Sequence, residues 1–212
     1  KKKITKVTTA KTGLGYEVMG DAIKALNFIY PYEMPITKIP QLYGKEGLKS
    51  VMKFNKKKRN FSYRANIVKK HGRIFSQQQI HKHSAKIASF TKTIKKSEGI
   101  ILIYSRYLDG GCIPIALALE EMGITRFGRP SLFKTPPHPQ VSYDTLNPQK
   151  GETPFIAAKY ALISGDINLS PQKNKIEMKA ITDEKNINGE IIKIVIITKA
   201  GAEGLDFKNI RQ

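Results

Sequence analysis

Three almost uninterrupted apolar runs, Ile100–Tyr104, Tyr160–Ile163 and Ile191–Ile197 with Lys193 its only interruption, constrain this chain more than any other feature. A strand that is apolar at every position, rather than at every second one, is covered on both faces. That is the habit of parallel sheets flanked by helices. The intervening sequence agrees. Ile80, Ile87 and Ile94 recur at a helical spacing with Ala88 and Phe90 nearby, giving one apolar stripe on a helix that ends near Ser97-Glu98-Gly99. Pro114 early and Gly123 late bracket a second helix. Ile124–Phe127 reads as a short strand. Ser170 and Pro171 offer an N-cap and first position for a helix carrying Ile176, Ala180 and Ile181, and Asn188-Gly189 turns the chain into its last strand.

Residues 80–212 are therefore expected to form one α/β unit, a parallel sheet flanked by helices. Two stretches break the rhythm. Residues 128–155 hold Pro130, Pro136, Pro137, Pro139, Pro148 and Pro154 with few apolar residues, and read as a surface insertion between strands. Residues 1–79 combine a short helical stretch at Glu17–Leu26, turn signals at Tyr30-Pro31 and Tyr43-Gly44, and the basic run Lys53–Arg64; an irregular N-terminal extension or interlobe segment is expected there. The chain starts without Met and stops at Gln212 soon after a strong strand, so a piece of a longer protein, with a sheet incomplete at its C-terminus, is expected.

Charge then narrows the partner. Against 17 Asp and Glu stand 37 Lys and Arg, a net +20, and a polyanion is the natural counterpart because each phosphate met by a cation releases condensed counterions. A merely solvated basic surface is the plain alternative. Cys112 is the sole cysteine, which excludes an intrachain disulfide and suits a reducing compartment. No apolar run approaches the roughly 20 residues that span a bilayer, so no membrane partner is expected.

Several kinds of chemistry fail on spacing. Gly15-Tyr16-Glu17-Val18-Met19-Gly20 has the glycine spacing of a phosphate-binding loop, but Asp21 and Ala22 stand where Lys and Ser or Thr are needed. His81 and His83, two apart on a helix, point away from each other and share no metal. Cys112 at a helix start has no identifiable partner and reads as a packed small residue. The informative set is at the carboxyl ends of the apolar strands, where open parallel sheets place their ligands: Tyr104-Ser105-Arg106, Ser164-Gly165-Asp166, and Thr198-Lys199 running on to Gly204-Leu205-Asp206. Small residues let a backbone N–H approach phosphate and hydroxyls donate to it, although ordinary strand-to-helix turns use the same residue types.

Ile163-Ser164-Gly165-Asp166, Gln172, Lys175, Gly189, and Thr198 leading into Gly204-Leu205-Asp206 resemble the stretch through motif V of superfamily 2 helicases, and Ile101–Ser105 is similar to their motif IV. Gly99–Ser105, Gly110–Glu121 and Lys199–Gln212 resemble, more narrowly, helicases of nucleocytoplasmic large DNA viruses, a group that includes the poxvirus early transcription factor small subunit and its mimivirus and asfarvirus relatives. The resemblance implies a RecA-like second lobe. Ser105, Gly165 and Thr198 would hold the backbone of DNA or RNA, with Arg106 and Lys199 added by position and charge. Gly204 and Asp206 would face ATP across an interlobe cleft. Ala202 lacks a hydroxyl that relatives often have, and Lys175 replaces a frequent Arg.

ATP and Mg²⁺ would bind mainly to a first RecA-like lobe of the same protein, and this fragment alone would be inactive. The resemblance also implies a virion or host-cytoplasm location in the viral factory. Three readings follow: an ATP-dependent helicase or translocase; an ATPase subunit of a viral transcription initiation or termination factor, touching the viral RNA polymerase, without unwinding; and a non-enzymatic basic binding module.

Overall fold

The computed structural model describes residues 14–32, 39–148, 154–170, 174–199 and 210–211. Its centre is a parallel sheet of β3 (Ile101–Tyr104), β4 (Thr125–Arg126), β5 (Lys159–Ile163) and β6 (Ile194–Ile197), in the order β3-β6-β5-β4. All four residues of β6 are buried because it lies between two neighbours and under cover on both faces. Alternation along the strands divides the core in two. Ile101, Tyr160, Leu162, Ile194 and Ile196 face the larger cluster, while Ile100, Ala161, Ile163, Val195 and Ile197 face a smaller one that includes Ile181. The expected α/β architecture, a parallel sheet flanked by helices of the RecA-like kind, is what the chain adopts.

The larger cluster is filled by helices α4 (Ala85–Ile94) and α5 (Ile113–Glu120), both nearly as the apolar pattern requires. Helix α4 starts later than the Ile80 stripe predicts. Ser84 caps it, its hydroxyl accepting from the Ile87 amide at 3.0 Å, and Ile80 sits on the preceding 3-10 turn with its side chain still buried. Gly99 and Gly189 both take positive φ, at the turns expected of them. Ile210 bridges to Ile100 in parallel fashion beside the start of β3.

Ahead of the sheet lie α1 (Leu14–Asn27), α2 (Gly44–Val51), the antiparallel hairpin of β1 (Met52–Asn55) and β2 (Asn60–Tyr63), and α3 (Ala65–His71). These elements join the main core. Phe28, Tyr30, Leu48, Val51, Met52, Phe61, Ile67, Ile74 and Phe75 are buried in the same cluster as β5 and β6. Gly15–Gly20 lies inside α1, so its glycine spacing makes no phosphate-binding loop.

Residues 128–148 do connect β4 towards β5, but they are anchored more deeply than a superficial insertion. Leu132, Phe133, Val141 and Leu146 are buried. Phe61 exchanges two backbone bonds with this segment, donating to Leu132 O at 2.6 Å and accepting the Lys134 amide at 2.8 Å, which extends the hairpin by one bridge. Among the described residues no helix is long and apolar enough to cross a membrane.

Candidate nucleic-acid interface

The parallel register brings three strand ends level. Tyr104 pairs with Ile197, which pairs with Ile163, and the next residues are tied across: Ser105 N donates to Ile197 O and Thr198 N to Ile163 O, each at 3.0 Å. Arg106, Gly165, Asp166, Thr198 and Lys199 then line one open depression of about 460 Å³ with Leu108 and Ser164. Four of the residues that sequence reasoning singled out, Arg106, Gly165, Thr198 and Lys199, therefore meet at one edge. Arg106 and Lys199 are exposed, and neither has an ion-pair partner among the described residues.

Thr198 is unusual here. It is 6% exposed, and its hydroxyl has no hydrogen-bond partner among the described residues. A buried hydroxyl left unpaired costs about 1–3 kcal/mol, so this group is kept at the depression at an expense to the fold. Ser105 sits beside it across the β3–β6 pairing but is used differently. Its hydroxyl donates to Tyr107 O at 3.2 Å and receives the Tyr107 amide at 3.3 Å, closing a tight turn. Gly111 makes room for that hydroxyl, since a Cβ there would lie 2.1 Å from it.

The loop after β5 is held by its own side chains. The Ser170 hydroxyl donates to Leu162 O at 3.0 Å and accepts the Ser164 amide at 3.1 Å, while the Asp166 carboxylate accepts from the amides of Asn168 (2.7 Å) and Leu169 (3.2 Å). Ser170 therefore locks this loop and does not cap α6 (Lys175–Ile181), whose N-cap is Asn174 in the left-handed region. Gly165 is left exposed at the rim with its backbone accessible.

Cys112 is fully buried, and burial pushes its thiol up to about 12, which suits a packing residue and not a nucleophile. His83 is not poised for metal either. Its Nδ1 lies 3.0 Å from Ile29 O, its ring stacks on Phe28, and burial lowers its pKa. No metal-binding cluster occurs among the described residues. Gly204 and Asp206 lie outside the described residues.

Sequence reasoning missed a second pocket. Lys45, Lys49, Phe54, Lys56 and Phe61 face Asp109, Asp166 and Asn168 across a space of about 350 Å³, between the β1–β2 hairpin and the same sheet edge. Its signal was present only as the run Lys53–Arg64, because nothing local indicated that this run would fold back beside β5.

Comparison with known proteins gives one consistent likeness. The chain is 31% identical over 147 residues to a protein named "Termination factor NPH-I homolog" from a tick isolate of African swine fever virus from Malawi, covering 61% of this chain and 20% of that protein. A protein of the same name from a pig isolate from Kenya is 30% identical over 147 residues, with the same coverage. The expected likeness to asfarvirus proteins is thus found, and the chain spans about a fifth of the length of these relatives. No family model matches the chain, and no solved structure does.

Proposed function

We propose that this chain is the second RecA-like lobe of a superfamily 2, ATP-dependent motor that moves on DNA or RNA. The observation that carries the reading is the convergence of three strand ends on one depression lined by two cations without ion-pair partners and a buried Thr198 hydroxyl without a hydrogen-bond partner among the described residues. A phosphate backbone supplies what that arrangement lacks: negative charge for Arg106 and Lys199, an acceptor for Thr198, and a fit to the exposed backbone at Gly165. Such contacts are independent of sequence, as a moving motor requires.

On this reading ATP and Mg²⁺ bind mainly to a first lobe, with Gly204 and Asp206 completing the cleft, and nucleotide turnover opens and closes the two lobes on the strand. The name of the viral relatives favours a more specific role, the ATPase of a transcription termination factor acting with the viral RNA polymerase. Unwinding is then dispensable, and a cytoplasmic viral setting follows from the same relatives. Strand displacement by the intact protein supports the helicase role; ATP-dependent transcript release without displacement supports the termination role.

The contact itself is tested with Thr198→Val, which keeps shape and removes the hydroxyl. It should stabilise the fold by about 1 kcal/mol in urea titrations, since an unpaired buried group is lost. It should at the same time weaken oligonucleotide binding. Arg106→Ala with Lys199→Ala should lower the slope of log affinity against log salt by about 1.4 on single strands. In the intact protein Asp206→Ala should remove most ATP turnover. Unchanged turnover would leave the non-enzymatic binding module as the better account.

A further inference from the structure

The β1–β2 hairpin carries four consecutive cations, Lys56, Lys57, Lys58 and Arg59, on the loop between the paired residues Asn55 and Asn60. All four are exposed, and none has an ion-pair partner among the described residues. Such mutual repulsion is unfavourable unless an anion relieves it. Arg59 adds a conformational cost. It holds φ at +53°, where an L-residue is disfavoured by about 1–2 kcal/mol and where Gly or Asn is the easier choice. The turn is nonetheless well made, with the Lys58 amide donating to Asn55 Oδ1 at 3.0 Å. The chain therefore keeps a charge at a position that its backbone does not favour.

Below the tip an aromatic side chain is offered to solvent. Phe54 is 39% exposed, and its ring packs on Phe61 with centroids 4.7 Å apart, so one edge is fixed while the other lies open to the pocket. Lys45, Lys49 and Lys56 stand round that pocket, and Leu108 and Asp166 belong both to it and to the depression at the strand ends. The two surfaces are one continuous track. Asp109 and Asp166 lie in the pocket as well; the Asp166 carboxylate is held by the Asn168 and Leu169 amides, while that of Asp109 disfavours phosphate inside the pocket and leaves it to a neutral base, whose ring N–H it can accept from.

We propose that this hairpin is a second nucleic-acid contact of the chain, in which Lys56, Lys57, Lys58 and Arg59 take the sugar–phosphate backbone of a single strand while one of its bases stacks on Phe54. A duplex would keep its bases paired and unavailable to Phe54, so the site selects unpaired strands. The proposal rests on the reading that nucleic acid crosses the sheet edge, and places the strand as it arrives at or leaves that edge.

Binding of the whole chain to short fluorescein-labelled oligothymidylate and oligouridylate, followed by anisotropy over a salt series, tests it. Replacing Lys56, Lys57, Lys58 and Arg59 together by Gln should lower the salt slope by up to about three, at about 0.7 per phosphate contact on single strands. Phe54→Leu should weaken binding about tenfold, and Phe54→Tyr should restore it, because one stacked base is worth about 1–3 kcal/mol. Circular dichroism should be unchanged in all three.

Hairpin variants that bind like the parent overturn the proposal and would leave the basic tip to an acidic protein. If Arg106→Ala with Lys199→Ala alone loses affinity in the same series, the sheet-edge reading stands without the hairpin. If only the hairpin variants lose it, the hairpin stands and the sheet-edge reading falls. Equal binding by Phe54→Leu and Phe54→Tyr overturns the stacking step.

Discussion

Two adjacent carboxylates at the end of α5 organise more of the molecule than their place in an apolar helix suggests. Glu120 is buried, and it accepts from the amides of Leu132 (2.7 Å) and Phe133 (2.9 Å), from the Tyr160 hydroxyl (2.8 Å) and from the Ser131 hydroxyl. Glu121, also buried, receives Arg73 at 2.9 Å and the Tyr63 hydroxyl at 2.9 Å. Neither role was legible beforehand, because their partners are 11 to 58 positions away along the chain and no local pattern announces them (Glu121 to Tyr63 spans 58, Glu120 to Ser131 spans 11). Burial raises the Glu120 pKa from 4.5, against the pull of its four donors. A carboxyl raised in the folded state contributes stability that is full below the unfolded value and lost as pH rises through the folded one. Glu120→Gln, neutral at every pH, suffers no such loss, so any deficit it has against the parent near the acid end should narrow as pH rises towards neutrality. Urea unfolding of both proteins across that range reads it, and a gap that widens with pH would show the anion to be the preferred form.

At the scale of elements, the sheet was legible because its signal is local. Each buried strand is a short apolar run, and β6, buried at all four positions, lies inside the sheet. The strand-end residues were legible for the same reason, since a parallel register must bring residues 105, 164–166 and 198 to one edge. The hairpin pocket and the anchoring of residues 128–148 were not, because both depend on which distant surfaces meet. The turn closing α5 shows how tight that meeting is. Gly123 has φ +85°, donates its amide to Glu120 O, and would place a Cβ 2.4 Å from Pro139 O and 3.0 Å from Val141. Its own carbonyl accepts the Val141 amide at 3.2 Å. Gly123→Ala should cost more than the roughly 1–2 kcal/mol of a left-handed L-residue, because the chain at 139–141 must also move. Thermal unfolding measures the loss; a substitution with no effect would mean that this segment is not held against α5.

For the whole molecule the question is whether the residues before 80 are an appendage or part of the lobe. Sequence favoured the first, reading turn signals and charge where the apolar residues were sparse. Packing favours the second. Phe75 is 1% exposed and contacts rings from three places, with centroids 5.0 Å from Phe28, 6.4 Å from Tyr30 and 6.0 Å from Tyr63, and all of these except the half-buried Tyr63 are buried in the cluster that also holds Tyr160, Ile194 and Ile196. The Ile29 amide donates to His83 O at 2.9 Å between the two regions, and Arg73 reaches Glu121 at the end of α5. Removing residues 1–79 would strip the face of α5 and β5 of aromatic cover worth about 1.5–3 kcal/mol for each large side chain, against a typical total stability of about 5–15 kcal/mol. Residues 80–212 alone should consequently be aggregated or molten, binding a hydrophobic dye, while the whole chain unfolds in one cooperative transition seen alike by tyrosine fluorescence and by far-ultraviolet circular dichroism. A soluble truncated chain with a sharp transition of its own would mean that the sheet is self-sufficient, and that the hairpin, together with the strand contact argued for it, belongs to a separately folding piece.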